Sequence, residues 1–461
     1  MVRLPTKALA EYLAGLEFSD LPQDVVDMAK KVILDFFGYS IIAVKERPAQ
    51  ILFETVKELG GREESTIIGF EYKSSCPNAA LVNGALGHMC ELDDTHRTTM
   101  THIGDSVIPA ALAIAEREKS DGKKLITAVV AGYETVIRVG ESVMPSHYSK
   151  GFHPTGTVNT FGAAVASAKV LSLDSNKMLH ALGIAGSQVA GNFAHIRERA
   201  MTKDLHPGKA AMNGLYAALM AEKGFTSASD IFENEKGFCR LYSDEYNLEK
   251  ITEELGKRFR ILEVAFKPYS ACRYCHAAID GILELISKYS LSESNLRRIV
   301  IKMYSIAAWL VDDPSPWGKG FYGPRYSVQF NVALAITEGK AGLKKALENE
   351  KFLEEKLNDP QVRSLMKRIT VVIHRSLDKE FPRKWSTIVE VRTANGEKYC
   401  SRVDFPKGEP ENPMTQEELW EKFKILATEV LGKWKVDKII EEVCNLERIG
   451  NITELTELLS P

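Results

Sequence analysis

Helical patterns of apolar and polar residues dominate the first part of the chain. The segment VVDMAKKVILDFFGYSIIAV, which follows Pro22, predicts a long amphipathic helix with Asp20 as its cap. Further helices are predicted at 49–59, 123–143, 155–173, 176–194 and 209–223, with at most one short strand at 65–70. The later helices are rich in Ala, Gly and Ser, which lets neighbouring helices approach closely. The first 265 residues are therefore predicted to form one large all-helical unit.

The pattern changes after Pro268. Alternating β-branched runs predict strands at 298–304, 368–374 and 386–392, and Asn395-Gly396 predicts a hairpin leading into 399–403. Helices are predicted between them at 277–289 and 326–336, and the chain is helical again from Thr415. The predicted fold is mainly α, with a large all-helical domain of residues 1–267 and 405–461. A smaller α+β lid domain, residues 268–404, is inserted before the C-terminal helices.

A polar stretch, ELDDTHRTTMTHIGD at 91–105, lies between two apolar segments that are predicted to be buried helices, 78–90 and 106–116. Burying charged groups costs several kcal/mol unless they are paired or used. The stretch is therefore the first candidate for a functional site. The alternative is a pair of helix caps with solvated loop charges.

Three other segments place a cation or an imidazole close to a predicted helix start. They are His153 in GFHPTGT, Lys203 and His206 in TKDLHPGK, and Lys267, Arg273 and His276 in FKPYSACRYCHAAID. Free backbone N–H groups and the helix dipole favour anions at such positions. If the segments converge, they form a receptor for a small polycarboxylate. Taken singly, each residue is weak evidence, because a histidine at a helix start is more often a cap or a packing residue.

Metal and haem sites are not favoured. Cys272-Arg-Tyr-Cys275-His276 has the spacing of a c-type haem attachment, but such proteins are usually exported and no second ligand loop is evident. A zinc or iron–sulfur site needs further ligands at suitable spacing, which Cys239 and Cys400 do not provide.

The acidic pair Asp93-Asp94 with His96 and His102 could bind a divalent cation, but two adjacent acids are poorly placed to face one ion. The prediction is that the protein has no metal site.

Composition excludes several classes of partner. The chain has 461 residues, enough for two or more domains, and 59 Lys and Arg against 62 Asp and Glu give a net charge of -3, so nothing favours nucleic acid. Charged residues interrupt the apolar N-terminal pattern, which argues against a signal peptide, and no apolar run reaches the roughly 20 residues of a membrane span. Seven scattered cysteines do not form a disulfide framework. A soluble, cytoplasmic protein without a membrane or nucleic-acid partner is expected.

Several ordered blocks together resemble the MmgE/PrpD family, which contains 2-methylcitrate dehydratases and cis-aconitate decarboxylases. The blocks are LDDTH followed by H-x-G, GFHPTGT with FGAA, ALGIAGSQ, TKDLHPGKAA, FKPYSACRYCHAAIDG and RYSVQFNVALA. They run from near the N-terminus to about residue 336. The resemblance implies a large helical domain with a smaller α+β lid, a homodimer, and an enzyme that works without a metal or an organic cofactor.

The resemblance also implies the catalytic residues, which are Glu91, Thr95, His102, Lys203 and His276. The decarboxylases have Asp where this chain has Glu91, which moves the carboxylate by one methylene, about 1.5 Å. The loop from Thr95 to His102 is one residue longer than in the decarboxylases. Both differences weigh against decarboxylation specifically.

The expected function is a cofactor-independent hydro-lyase, similar to 2-methylcitrate dehydratase, that acts on a hydroxy-polycarboxylate. Such chemistry builds negative charge on a carbon next to a carboxylate, so it needs a base near neutral pH and preorganised cations. His102 and His276 are the predicted acid and base groups, and Lys203 the carboxylate anchor. The predicted substrate-binding residues are Asp93, Asp94, His153, His206, Arg273 and Lys267.

Three alternatives remain open. The chain could be a decarboxylase similar to cis-aconitate decarboxylase, or an epimerase or isomerase of a small dicarboxylic acid. It could also be a protein that binds a small acid without catalysis.

Overall fold

The computed structural model describes residues 4–319, 322–348 and 350–461, without the side chains of residues 348 and 350. The chain divides into two compact units. One runs to Val264 and includes Thr415–Pro461, and the other is Ala265–Met414. The predicted mainly α fold is confirmed, because helices make up most of the described chain and the sheets are small. That the second unit acts as a lid stays a prediction.

The first unit is built mostly of helices. These are α1 (Pro5–Gly15), α2 (Gln23–Ala43), α3 (Arg47–Leu59), α4 (Cys76–Met89), α5 (Gly104–Arg117), α6 (Gly122–Val143), α7 (Ser146–Ser149), α8 (Pro154–Thr157), α9 (Asn159–Val170), α10 (Ser175–Gly186), α11 (Thr202–Glu222), α12 (Phe238–Tyr242) and α13 (Glu249–Thr252). The short strands are β1 (Ser65–Thr66), β2 (Lys73–Ser74), β3 (Thr95–His96) and β4 (Val264–Ala265), of which β4 ends just past the boundary of this unit. β1 pairs antiparallel with β2.

Small residues bring α4, α5, α9 and α11 close together in the first unit, as their composition predicts. A Cβ on Gly208 of α11 would lie 2.2 Å from the carbonyl oxygen of Leu81 in α4. One on Gly84 would lie 2.7 Å from the carbonyl oxygen of Asp105. Only glycine allows these contacts. The ends of these helices carry the polar stretch and Lys203.

Several predicted boundaries are wrong. The helix predicted at 209–223 begins at Thr202, so Lys203 and His206 lie inside its first two turns and not before it. The segment 155–173 forms two helices, α8 and α9, and the helix predicted at 176–194 ends at Gly186. The residue before α2 is Pro22, and Asp20 belongs to a separate 3-10 turn.

The second unit combines helices with a four-stranded sheet. The helices are α14 (Arg273–Tyr289), α15 (Ser305–Val311), α16 (Tyr322–Arg325), α17 (Val328–Glu348), α18 (Glu350–Asn358), α19 (Pro360–Met366) and α20 (Arg375–Asp378). The strands are β5 (Leu296–Met303), β6 (Ile369–Ile373), β7 (Thr387–Thr393) and β8 (Lys398–Val403). Their order is β6-β5-β7-β8, with β5 parallel to β6 and the other pairs antiparallel. Each strand predicted from the β-rich runs is present, as is the Asn395-Gly396 hairpin.

The C-terminal helices return to the first unit. They are α21 (Gln416–Leu431), α22 (Lys433–Cys444) and α23 (Thr453–Thr456). Thr415 and Glu418 form a reciprocal capping box at the start of α21. Lys422, buried on α21, lies 2.7 Å from Asp35 of α2 and donates a 2.8 Å hydrogen bond to the carbonyl oxygen of Leu92. The last helices thus contact the polar stretch directly.

Among the described helices, none has both the length and the apolar character that crossing a bilayer requires.

Candidate active site

The predicted site residues fall into two groups, one in each compact unit. Glu91, Asp93, Asp94, Thr95, His102, His153, Lys203 and His206 lie in the first unit, and Lys267, Arg273 and His276 lie in the second. Each group is described by itself.

The first group is built around a buried ion pair. Glu91 lies just past the end of α4, and its Oε1 is 2.8 Å from the Nζ of Lys203 on α11. The backbone of Glu91 has a φ of 54°, a left-handed conformation that costs a non-glycine residue roughly 1 kcal/mol or more. Nζ of Lys203 also donates a 2.7 Å hydrogen bond to the carbonyl oxygen of His88. These two contacts hold the strained turn in place.

Lys203 is protonated in this setting. Burial alone would lower the pKa of its ammonium group, but the negative charges of Glu91, Asp204 and Asp93 raise that pKa above its ordinary value. Its exposed fraction is only 5%. The site therefore contains a permanent, desolvated positive charge.

His102 has a defined tautomer. Its Nδ1 lies 2.9 Å from Oδ2 of Asp93 and 2.9 Å from the carbonyl oxygen of Asp94, with the hydroxyl of Thr95 at 3.4 Å. A carbonyl oxygen can only accept, so Nδ1 carries the proton. Nε2 of His102 has no hydrogen-bond partner among the described residues, which leaves its lone pair available as a base.

The carboxyl group of Asp93 contacts two histidines of the site, His88 and His102. Its Oδ2 also lies 2.7 Å from Nδ1 of His88. Burial and the negative charge of Asp93 raise the pKa of Asp105 well above its ordinary value, which favours the protonated form of its carboxyl group. Burial and the charge of Lys203 lower the pKa of His88 to about 3, so this imidazole is neutral. Nε2 of His88 is buried without a hydrogen-bond partner.

Asp94 caps the start of α5 although it lies ten residues before Gly104 in the sequence. Its Oδ1 accepts a 2.9 Å hydrogen bond from the backbone N–H of Gly104 at the start of α5, and its Oδ2 accepts a 2.7 Å hydrogen bond from the hydroxyl of Tyr133. Burial raises the pKa of Asp94 to about 6. Asp94 therefore caps α5, as the capping alternative predicts, but its carboxyl group is buried and not solvated. Glu91 and Asp93 are also buried, whereas His102 is partly exposed.

A group of three histidines lies beside this network. Nδ1 of His153 is 2.8 Å from Nδ1 of His206, and the His153 ring lies 5.5 Å from the His88 ring and 5.7 Å from the His195 ring. Burial is the main cause that lowers the pKa of each imidazole, well below its ordinary value for His153, to about 4 for His206 and to about 3 for His195. His195 and His206 are therefore neutral at pH 7, and the shift of His153 favours its neutral form as well.

His88 and His195 were not predicted. His88 lies in an otherwise apolar, small-residue segment, and a polar residue in such a segment is a signal that could have identified it. His195 lies in a short 3-10 turn, Phe193–Ile196, and no sequence pattern singles it out.

In the second unit, the side chain of His276 is fully engaged. Its Nε2 donates a 3.0 Å hydrogen bond to the carbonyl oxygen of Ala271, and its Nδ1 accepts a 3.0 Å hydrogen bond from Nη1 of Arg273. Nη2 of Arg273 lies 2.9 Å from Oε1 of Glu409. Lys267 is fully buried in the same unit. Acid or base catalysis by His276 therefore requires one of its two hydrogen bonds to break.

Three clusters of the described residues bring potential metal-ligating atoms together. They are His88, Asp93 and His102; His96, Glu141 and Glu263; and His153, His195 and His206.

The first two clusters already have partners for their charges. In the first, both histidines direct Nδ1 at the same oxygen of Asp93. In the second, Arg260 lies 2.5 Å from Glu141 and 2.9 Å from Glu263. Nε2 of His96 lies 3.6 Å from Oε2 of Glu263. His96 therefore does not join Asp93, Asp94 and His102 in the cation site that the sequence suggested.

Comparison with known families places the chain in a class of enzymes that consist of an N-terminal and a C-terminal family domain. The MmgE/PrpD N-terminal domain matches residues 7–251, and the MmgE/PrpD C-terminal domain matches residues 269–447. The chain belongs to the MmgE/PrpD family, and it is an enzyme of the lyase class.

Curated relatives match over nearly their whole length. The human cis-aconitate decarboxylase is 28% identical, with 100% of this chain and 95% of the relative covered. A cis-aconitate decarboxylase-like protein of Aspergillus oryzae is 27% identical, with 99% and 97% covered. The cis-aconitate decarboxylase of Aspergillus terreus is 25% identical, with 99% and 96% covered.

Proposed function

We propose that this lyase acts on a small polycarboxylate without a cofactor, by moving a proton at a carbon next to a carboxylate. The observation that carries the proposal is His102, whose Nδ1 proton is held by Asp93 and the Asp94 carbonyl while Nε2 is unpartnered. An imidazole with its Nδ1 proton fixed and its Nε2 lone pair available is suited to general base catalysis. Protonated Lys203 supplies a cation for the carboxylate.

In dehydration, Nε2 of His102 takes the proton from the carbon next to a carboxylate. The electron pair spreads onto that carboxylate, where the charge of Lys203 stabilises it. The C–O bond then breaks, and the hydroxyl leaves as water with a proton from an acid. His276 is the proposed acid, and Glu91 and Thr95 are proposed to orient the hydroxyl and the base. The proposed substrate is 2-methylcitrate or a similar hydroxy-polycarboxylate.

Decarboxylation is the second candidate, because the relatives are named for it. There, a C–C bond breaks, carbon dioxide leaves, and the resulting carbanion takes a proton from the acid form of the same histidine. Glu91 is the residue that weighs against it, since the resemblance places Asp at this position in the decarboxylases. Epimerisation would use the proton transfer alone.

The test is to incubate chelator-treated protein with citrate, 2-methylcitrate, cis-aconitate and tartrate isomers. A new enoate absorbance with loss of water by mass supports dehydration, and released carbon dioxide supports decarboxylation. Solvent deuterium entering an acid without either change supports epimerisation. No turnover and no deuterium uptake, despite saturable binding, would contradict the proposal and favour a binding protein.

Variants separate the role of His102 from general damage. His102→Gln is expected to abolish measurable turnover, while His180→Gln, outside the site, is expected to retain it. Equal turnover by both variants would contradict the assignment of the base. A homodimer and a cytoplasmic location remain proposals that rest on the family resemblance, and sedimentation tests the first.

A further inference from the structure

We propose that His153, His195 and His206 form a binding site for a divalent transition-metal ion such as Zn²⁺ or Co²⁺. The site uses one imidazole nitrogen from each residue. One such atom from each of the three lies within 4.8 Å of the others.

The spacing of the nitrogens suits such an ion. Zinc binds imidazole nitrogen at about 2.0 to 2.1 Å, so two ligands of a tetrahedral ion are about 3.4 Å apart. Nδ1 of His153 and Nδ1 of His206 are already 2.8 Å apart. The site requires the rings to rotate about their side-chain bonds so that three nitrogens surround one ion, with the fourth position open to water.

A second observation points to a ligand at the same place. Nε2 of His195 is buried and has no hydrogen-bond partner, and the side chain as a whole exposes only 9% of its surface. Buried polar atoms nearly always have a partner, and an orphan costs roughly 1 to 3 kcal/mol. The His195 ring lies 5.5 Å from the His206 ring and 5.7 Å from the His153 ring. A metal ion held by all three residues satisfies this nitrogen.

The ligand chemistry selects the type of ion. The three ligands are imidazoles, and the cluster itself contains no carboxylate. Mg²⁺ and Ca²⁺ prefer oxygen ligands, whereas Zn²⁺, Co²⁺ and Ni²⁺ bind imidazole well. The positive charge of Lys203 acts on both His195 and His206. This repulsion weakens binding of a dication, so the ion is expected to bind reversibly and not as a permanent structural part.

Metal binding has a consequence for activity that rests on the proposed function. His153 and His206 are proposed substrate-binding residues, and an ion that holds both withdraws them from the substrate. Micromolar Zn²⁺ is therefore expected to inhibit the enzyme. His195 has no role in the proposed reaction, so a change at His195 separates metal binding from catalysis.

The test starts with chelator-stripped protein and Co²⁺ alone, without substrate. Titration is expected to give one bound ion per chain and the visible absorption bands of a low-symmetry cobalt site. His195→Gln is expected to weaken Co²⁺ binding at least about tenfold, since it removes one of three ligands, with thermal unfolding used to check that the variant is folded. His180→Gln is the matched control and is expected to bind Co²⁺ as the unaltered protein does.

Equal Co²⁺ affinity in the unaltered protein and in His195→Gln would overturn the proposal, as would an absence of binding at millimolar Co²⁺. X-ray absorption of the Co²⁺ complex of the unaltered protein gives an independent result, because three imidazole ligands are expected and an oxygen-only shell would contradict the site. In an activity assay, Zn²⁺ is expected to inhibit the unaltered protein and to inhibit His195→Gln much less. The metal titration does not depend on the substrate, so failure of the proposed function leaves it intact.

Discussion

Oδ2 of Asp93 lies 2.9 Å from Nδ1 of His102 and fixes which nitrogen of the imidazole carries the proton. Asp93→Asn keeps the shape of the side chain but removes the negative charge that stabilises an imidazolium. Because general acid–base catalysis contributes about 10² to 10⁴-fold, kcat is expected to fall by at least about 10²-fold with a smaller change in KM. Steady-state kinetics on the substrate identified by the acid panel measure this. An unchanged kcat in a folded Asp93→Asn protein would show that His102 works without its partner.

The ion pair of Glu91 and Lys203 should be strongly coupled in stability. Lys203→Met leaves the carboxylate of Glu91 buried without its cation, which is expected to cost about 3 to 5 kcal/mol of unfolding free energy. The double variant Glu91→Leu with Lys203→Met removes both charges and should recover much of that loss. Urea denaturation of Glu91→Leu, Lys203→Met and the double variant gives the interaction free energy between the two side chains. If the losses of unfolding free energy in the two single variants simply add up in the double variant, the predicted interaction between Glu91 and Lys203 is wrong.

Gly208 is expected to resist substitution by alanine. In an exposed helix, Gly→Ala stabilises by roughly 1 kcal/mol, but here the added Cβ would lie 2.2 Å from the carbonyl oxygen of Leu81, so α4 and α11 would have to separate. Gly208→Ala should therefore lower Tm by several degrees and reduce activity, because Lys203 is on the same helix. The control is Gly15→Ala at the end of α1, where a Cβ meets nothing within 4 Å, and Tm should be unchanged or higher. A similar Tm for both variants would contradict the close contact.

His147 should make the protein less stable in acid. Burial lowers the pKa of His147 to about 4, below its ordinary value of 6.5, so the folded state binds fewer protons than the unfolded state between these values. The stability contributed by His147 is complete above pH 6.5 and is lost as the pH falls towards 4, by about 3 kcal/mol in all. Denaturation as a function of pH should show a shallower loss of stability for His147→Gln over this range. Parallel curves for the two proteins would contradict the pKa shift.

The role of His276 can be tested against its neighbour. If His276 is the acid, His276→Ala should lose turnover, whereas Glu409→Gln, which removes the charged partner of Arg273, should act mainly on stability or KM. Kinetics and thermal unfolding of both variants distinguish these effects. Full turnover by His276→Ala would show that both hydrogen bonds of the imidazole are structural.

Sequence patterns predicted the elements better than the pairings. The polar stretch between two apolar segments correctly located the buried network, because burying charge is costly enough to leave a mark on composition. The pairing of Glu91 with Lys203 could not be read from the chain, since it joins residues 112 positions apart and depends on how α4 meets α11.

The misplaced start of α11 has a physical cause. Pro207 lacks a backbone N–H, and proline is most common in the first turn of a helix, so the sequence suggested that α11 begins near Pro207. In the structure Pro207 is the sixth residue of α11. His195 gave no periodic or compositional signal, because its position near His153 and His206 arises from how the 3-10 turn Phe193–Ile196 packs beside α11.

The position of Lys422 near the end of the chain affects when the buried contacts of the first unit can form during synthesis. Its ammonium group neutralises Asp35 and holds the carbonyl oxygen of Leu92, yet it is synthesised 330 residues after Leu92. A nascent chain that has emerged only as far as the second unit still lacks α21, the helix that packs on α2 beside Asp35, and the turn before Asp93 lacks its hydrogen bond from Lys422. The network around His102 therefore reaches its final form only after the ribosome has released α21, so the order of synthesis delays assembly of the candidate site until translation is nearly complete.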